Sequence, residues 1–163
     1  MAIMLHEPTG ALKQFRRTVA QYQFQQTFRT PRKNLSPFIA AMVGALQPIR
    51  AGMLTVDQVI FEPRTLAALL DRHGIALKAM DNTRYLHDWS LHATGEREVE
   101  ELLTAALSDP IDFAFVPDPG RLRIYADHDE YVTFFSARKS GLGKLIESLA
   151  RLGFLPNSYS RRF

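Results

Sequence analysis

Hydrophobic residues follow the spacing of strands, and then of a helix, between residues 111 and 154. Three short runs rich in β-branched and aromatic residues (111–116, 121–126 and 131–135) are separated by turn residues. This pattern predicts a three-stranded antiparallel meander. Gly153 stands where a left-handed helix C-cap is expected. Before it, five apolar residues recur at helical spacing and predict a helix that packs on the sheet: Leu142, Leu145, Ile146, Leu149 and Leu152.

The rest of the chain contains further segments with helical or strand periodicity. The predicted order is two helices, strand, helix, strand, helix, three strands and a final helix. We therefore expect an α+β fold with helices packed on one face of a mostly antiparallel sheet, and with two N-terminal helices. Before the meander, apolar positions predict helices over residues 11–28, 36–46, 63–72 and 95–107, and strands over residues 54–61 and 85–93.

The length and composition fit one globular domain. A chain of 163 residues is long enough to bury a core. No apolar run approaches the roughly 18–20 residues of a membrane span, and the first residues lack the basic and apolar regions of a secretory signal. Because there is no cysteine, disulfides and thiolate sites are excluded. We expect a single cytoplasmic domain over residues 1–163; an alternative is that residues 1–50 form an appended basic helical subdomain.

Charge is distributed in three blocks along the chain. Residues 1–50 carry a net charge of +6, residues 51–137 carry −8, and residues 138–163 carry +5. Such blocks indicate separate basic and acidic surfaces and therefore a charged partner. The alternative is that the basic ends pair with the acidic middle within one fold.

The segment Asp127-His128-Asp129-Glu130 concentrates three carboxylates and one imidazole in a predicted turn. A calcium loop spreads its ligands over about twelve residues, so four adjacent residues do not predict a metal site. One expectation is a solvated hairpin turn. The other is that Asp127, Asp129 and Glu130 form an acidic surface that contacts a basic partner. The second choice for such a surface is the group of glutamates on the predicted helix over 95–107: Glu96, Glu98 and Glu101.

Basic and aromatic residues are interleaved near the N-terminus. Nucleic-acid surfaces use cations for phosphate and aromatic rings for stacking. A nucleic-acid-associated protein is therefore the alternative function, although most of the aromatic residues fall at core spacing. The candidate binding residues are Arg16, Arg17, Arg32 and Lys33.

No motif of an enzyme or of a bound cofactor is present. Residues 138–144 follow a predicted strand and open a helix, but Arg138 replaces the first glycine of a phosphate-binding loop and Leu145 replaces its Ser/Thr. A weaker possibility is that Arg138, Lys139 and the start of this helix hold an anion. In the predicted strand 85–93, His87 and His92 differ by an odd number, so they should face opposite sides of the sheet. We expect no metal, no cofactor and no catalytic site.

The run from Ile124 to Phe135, followed by residues 140–154, resembles the ends of small bacterial immunity proteins of contact-dependent or polymorphic toxin systems. The resemblance covers the last third of the chain and extends to the overall build, a small cysteine-free α+β domain. It implies a stoichiometric inhibitor that binds one toxin domain, often a nuclease. A nuclease presents a positive surface to its substrate, and the acidic middle of this chain would complement that surface.

Overall fold

The computed structural model describes residues 2–77 and 86–163. Within these ranges, every helix is too short or too polar to cross a lipid bilayer. The elements in chain order are β1 (Ile3–His6), α1 (Ala11–Ala20), β2 (Phe24–Arg29), α2 (Leu35–Ala45), β3 (Ala51–Val59), α3 (Arg64–Arg72), β4 (Ser90–Thr94), α4 (Glu96–Ser108), β5 (Ile111–Asp118), β6 (Leu122–Ala126), β7 (Tyr131–Ser136), α5 (Lys139–Ala150) and β8 (Pro156–Asn157).

All eight strands belong to one sheet in the order β1-β4-β3-β5-β6-β7-β2-β8, and every neighbouring pair is antiparallel. Strands β5, β6 and β7 are consecutive neighbours, so the predicted meander is confirmed. Strand β2 lies beyond β7, with Thr27 opposite Thr133 and their buried hydroxyls 2.9 Å apart. Residues 1–50 thus contribute two strands, β1 and β2, to the same sheet as the meander.

The two faces of the sheet are covered by different helices. Helices α2 to α5 enclose the main core on one face, around fully buried rings such as Phe113 and Phe134. Helix α1 covers the other face, because alternate residues of the meander are also apolar and need shielding from water. The α+β class and the antiparallel sheet are confirmed, while α1 lies apart from the other four helices. The second cluster contains Leu12, Phe15, Val19, Ala114, Tyr125 and Phe135.

Helix α5 packs on the meander as the sequence predicts. Leu142, Leu145 and Leu149 are buried in the main core, and Ile146 is partly buried against it. The prediction was wrong for Leu152, which follows the end of the helix and is 51% exposed. Gly153 has φ +86°, the left-handed conformation expected at the helix C-terminus. The backbone N–H of Phe154 donates to the carbonyl of Leu149 at 3.0 Å and so satisfies one of the last carbonyls of the helix.

Strands β1 and β8 were not predicted from the sequence, and two predicted elements were wrong in type or bounds. The first helix ends at Ala20 rather than near Phe28, and residues 24–29 form β2. The strand predicted over 85–93 begins only at Ser90; residues 86–88 form turns, and Asp88 has φ +63°. Residue 85 lies outside the described residues. Residues 24–29 pair with β7 instead of continuing the helix. Asp88 caps α1 instead of extending β4.

Two helices begin against carboxylates from distant parts of the chain. Asp88 accepts the backbone N–H groups of Gly10 and Leu12 at 2.7 and 2.9 Å, at the start of α1. Asp109 accepts two N–H groups in the first turn of α3 at 3.2 and 2.7 Å. Carboxylates in these positions satisfy N–H groups that have no partner within the helix, and they favour the helix dipole. Part of the acidic middle segment is therefore used to hold helices in place.

Candidate functional site

The turn between β6 and β7 is held together by Asp127. Its Oδ1 accepts backbone N–H bonds from Asp129, Glu130 and Tyr131 at 3.1, 2.8 and 3.0 Å, an arrangement by which aspartate commonly stabilises turns. Its Oδ2 pairs with Arg161, and the Asp127 side chain is only 11% exposed. Asp127 is therefore a structural residue of the turn as well as a predicted partner-binding residue.

The other two carboxylates of this turn also have cationic or titratable neighbours. Glu130 pairs with Arg29 of β2 at 2.9 Å. Asp129 Oδ1 lies 2.9 Å from His128 Nε2, and His128 Nδ1 lies 2.7 Å from Asp112 Oδ1. Positive groups from the N-terminal and C-terminal segments thus reach the acidic turn. Opposite charges pair within the fold at this end of the sheet.

A second polar cluster lies on the face of the sheet that α1 covers. Tyr125 Oη donates to Asp57 Oδ2 at 2.6 Å, and the same oxygen accepts from Arg16 Nη2 at 2.8 Å. The pairing of β3 with β5 shifts register between Val56 and Gln58, which leaves Asp57 in a bulge, and bulges re-aim side chains. These hydrogen bonds offset the cost of burying a carboxylate and a phenol.

The C-terminal tail, residues 158–163, closes over this cluster. The Phe163 ring lies 5.0 Å from the Tyr125 ring, and the Arg161 guanidinium lies 4.7 Å from the centre of the same ring. The backbone of Arg161 exchanges two hydrogen bonds with the Gln25 side chain of β2, at 2.8 and 3.0 Å. The cluster therefore links β3, β6, α1 and the tail, and we assign it a structural role.

Tyr125 is expected to make stability fall in alkaline solution. Burial, followed by the hydrogen bond to Asp57, raises the pKa of Tyr125 above its ordinary value of about 10. The folded protein then keeps a proton that the unfolded chain releases, so this contribution is complete below pH 10 and declines above it, by about 1.4 kcal/mol per pH unit. Urea unfolding at a series of pH values above 10 should show that the free energy of unfolding falls more steeply for the native protein than for Tyr125→Phe. Equal slopes for the two proteins would contradict the assignment.

The glutamates predicted as the second-choice surface line a groove between α3 and α4. The groove has a volume of about 810 Å³. Glu96, Glu98 and Glu101 all lie on its wall, and so does Glu100. Two arginines, Arg72 and Arg97, share the wall together with Thr65, Leu69, Thr104 and Ala105. Carboxylates therefore outnumber cations in this concavity.

Only part of this negative charge is balanced by neighbouring side chains. Glu101 pairs with Arg97 at 3.1 Å and lies 4.0 Å from His73. Within residues 2–77 and 86–163, Glu96, Glu98 and Glu100 form no ion pair. One oxygen of Glu98 is buried and has no hydrogen-bond partner among the described residues. A buried unpaired carboxylate oxygen is costly, so a cation entering the groove would be favoured there.

The four candidate nucleic-acid residues do not share one chemical environment. Arg16 bonds Asp57, and Arg32 donates to the backbone carbonyl of His128. Arg17, on α1, and Lys33, in the loop before α2, are exposed. The guanidinium groups of Arg16 and Arg32 thus already bind other parts of the fold. Arg16 binds β3, and Arg32 binds the β6–β7 turn.

His87 and His92, the two histidines of the predicted strand 85–93, do not share a site. His87 Nδ1 lies 2.7 Å from the backbone carbonyl of Asp57, whereas the His92 ring lies 6.3 Å from that of His6. Across the part of the chain that the structure describes, no three His, Asp or Glu side chains are grouped so as to hold a metal ion.

The sequence does not predict that Glu100 and Arg72 join the other glutamates in one groove. The helical spacing of α3 and α4 does not reveal that the two helices lie side by side. The sequence does indicate that α4 is acidic, because four glutamates occur within six residues. Nothing local in the sequence indicates that Asp57 and Tyr125, 68 positions apart, form a hydrogen bond.

Comparisons with protein-family models, with curated proteins and with solved structures found no match for this chain.

Proposed function

We propose that this chain is a non-enzymatic binding protein that neutralises a bacterial toxin domain, and that a cationic segment of the toxin enters the α3–α4 groove. The observation that carries this proposal is the groove itself. Four glutamates and two arginines line a concavity of about 810 Å³, and three of the glutamates have no ion pair among the described residues. A concave acidic surface suits a basic loop or helix end of a partner protein.

The groove is a better candidate than the β6–β7 turn. Asp127 and Glu130 already pair with Arg161 and Arg29, so a partner would have to displace cations that belong to the chain. In the groove, the carboxylates of Glu96 and Glu100 are exposed and can attract a distant positive surface. The predicted turn residues remain part of the proposal as a secondary contact.

A nuclease domain is the toxin class that fits this charge best. A nuclease that binds the phosphate backbone must present cations to it. An acidic groove on an inhibitor can cover those cations and guide the two surfaces together. The proposal places the protein in the cytoplasm, where such a toxin would meet its substrate. No chemical step is required of the inhibitor, so its effect should be stoichiometric.

The test is to co-express the chain with the toxin domain encoded beside its gene and to measure association with the purified domain. We expect the native chain to protect cells and to block nuclease activity at a one-to-one ratio. The variant Glu96→Gln/Glu98→Gln/Glu100→Gln should associate at least about tenfold more slowly at low salt, because charges near an interface act mainly on the association rate.

The matched control is Glu7→Gln/Glu62→Gln/Glu147→Gln, which removes the same charge from exposed positions outside the groove. It should associate at nearly the native rate. A second arm, Asp129→Asn/Glu130→Gln, measures the contribution of the turn while leaving Asp127 in place. If the groove variant matches the control at every salt concentration while retaining its thermal stability, the groove is not the binding surface. If the native chain neither binds nor protects, the proposed function is wrong.

A further inference from the structure

A second groove, of about 650 Å³, lies at the end of the sheet where β6 and β7 meet the start of α5. Three cations from three different segments line it: Arg121 from the β5–β6 turn, Arg138 from the β7–α5 junction, and Lys144 from α5. No aspartate or glutamate is among its lining residues. Across the described residues, these three side chains have neither an ion pair nor a hydrogen bond. The groove therefore concentrates positive charge that nothing within the described fold balances.

The backbone around two of these cations is fixed by hydrogen bonds. Ser136 Oγ donates to the Arg138 carbonyl at 2.7 Å and accepts the Arg138 N–H at 3.1 Å. Arg123 donates to the Gly120 carbonyl at 2.7 Å, and the Arg121 N–H donates to the Pro119 carbonyl at 3.0 Å. The segments that carry the cations are thus tied to the sheet. Such preorganisation lowers the entropic cost of binding a ligand.

We infer that this groove binds a small organic anion, with an oxyanion group such as a phosphate ester held by Arg121, Arg138 and Lys144. The rest of the wall mixes apolar side chains, among them Tyr22 and Leu46, with polar ones such as Gln47, so it can take a ligand whose body has an aromatic face and polar edges. The volume lies within the range of small-molecule sites. Arginine and lysine both bind phosphate oxygens, arginine by paired N–H donors and lysine as a point charge. This inference is independent of the acidic groove and of the proposed toxin partner, because the two grooves share no residue.

The test compares three probes by NMR titration of the backbone amides and by calorimetry: adenosine monophosphate, inorganic phosphate and adenosine. We expect adenosine monophosphate to bind more tightly than either of the others, because it alone combines the anion with an aromatic body. Shifts should concentrate on Arg121, Gly141 and Lys144. The variant Arg138→Gln/Lys144→Gln should weaken its binding by about tenfold or more, as expected for the loss of charge-assisted hydrogen bonds.

The control variant Lys13→Gln/Arg162→Gln makes the same change in net charge at exposed positions outside the groove and should bind within about twofold of the native protein. Thermal unfolding of both variants should match that of the native chain, since these exposed side chains form no hydrogen bond or ion pair with other described residues. Several results would overturn the inference: equal weakening in the two variants, equal affinity for phosphate and adenosine monophosphate, or shifts spread over all basic segments.

Discussion

Replacing Leu145 by alanine is expected to lower the free energy of unfolding by about 2–5 kcal/mol, the usual cost of deleting a large side chain from a core. Leu145 is fully buried on the face of α5 that meets the sheet. The substitution removes apolar contacts and leaves a cavity that the meander, tied by backbone hydrogen bonds, fills poorly. Urea unfolding monitored by circular dichroism measures the change.

Leu152→Ala is the matched control on the same segment. Leu152 lies just after α5 and is 51% exposed, so its truncation should change stability by no more than about 0.5 kcal/mol. If Leu145→Ala and Leu152→Ala have equally small effects, α5 does not pack on the sheet as described.

Gly52→Ala should lower the free energy of unfolding by about 1–3 kcal/mol or more, although it adds only one methyl group. Gly52 lies in β3 close to the tip of the Phe115 ring. A Cβ atom at Gly52 would lie 2.3 Å from Cζ of that ring, far inside van der Waals contact, and Phe115 is fully buried. The ring cannot move away without disturbing its neighbours in the main core.

A double-mutant cycle tests this steric cause directly. Phe115→Leu alone should destabilise the protein by creating a cavity, but Gly52→Ala should cost much less in that background, because the smaller side chain leaves room for the methyl group. Additive losses would show that the cost of Gly52→Ala has another origin. Gly44→Ala provides the comparison, since a Cβ there meets no atom within 4 Å.

The C-terminal half of the fold was predictable because its pairing is local. The strands of the meander follow one another in the chain, and their turns are marked by proline, glycine and aspartate. The spacing of Leu142, Leu145 and Leu149 identified the buried face of α5, since helical periodicity reports burial directly. Gly153 marked the end of that helix for the same reason that glycine is favoured in left-handed backbone.

Strand β2 could not be predicted in this way. Local spacing extended the first helix to Phe28, and neither glycine nor proline marks its end at Ala20. What makes residues 24–29 a strand is pairing with β7 and the bond between Thr27 and Thr133. Such distant partners leave no trace in the periodicity of a short segment. The same limit applies to Asp88. Apolar and polar residues alternate around it and favour a strand, but Asp88 caps α1 instead.

The candidate sites, too, could be predicted only where they depend on residues close together in the sequence. The sequence identified the acidic residues of the turn and of α4 but did not predict which carboxylates would already be paired. Arg29 and Arg161 reach the turn only because β2 and the C-terminal tail lie beside it. Arg138 was recognised as a possible anion ligand from its position before α5. That Arg121 lies near it follows only from the fold, which brings the β5–β6 turn to the same end of the sheet.

The position of β2 also determines the order in which the chain can fold. Thr27 and Thr133 are 106 positions apart, so during synthesis β2 leaves the ribosome long before its neighbour β7 exists. Topologies dominated by such distant contacts fold slowly, whereas β5, β6, β7 and α5 can assemble from adjacent segments. Until that unit forms, β2 has free backbone donors and acceptors on both sides and the apolar Phe28 between them. Nascent chains that end before residue 131 therefore present an unpaired strand to one another, which is a known route to aggregation.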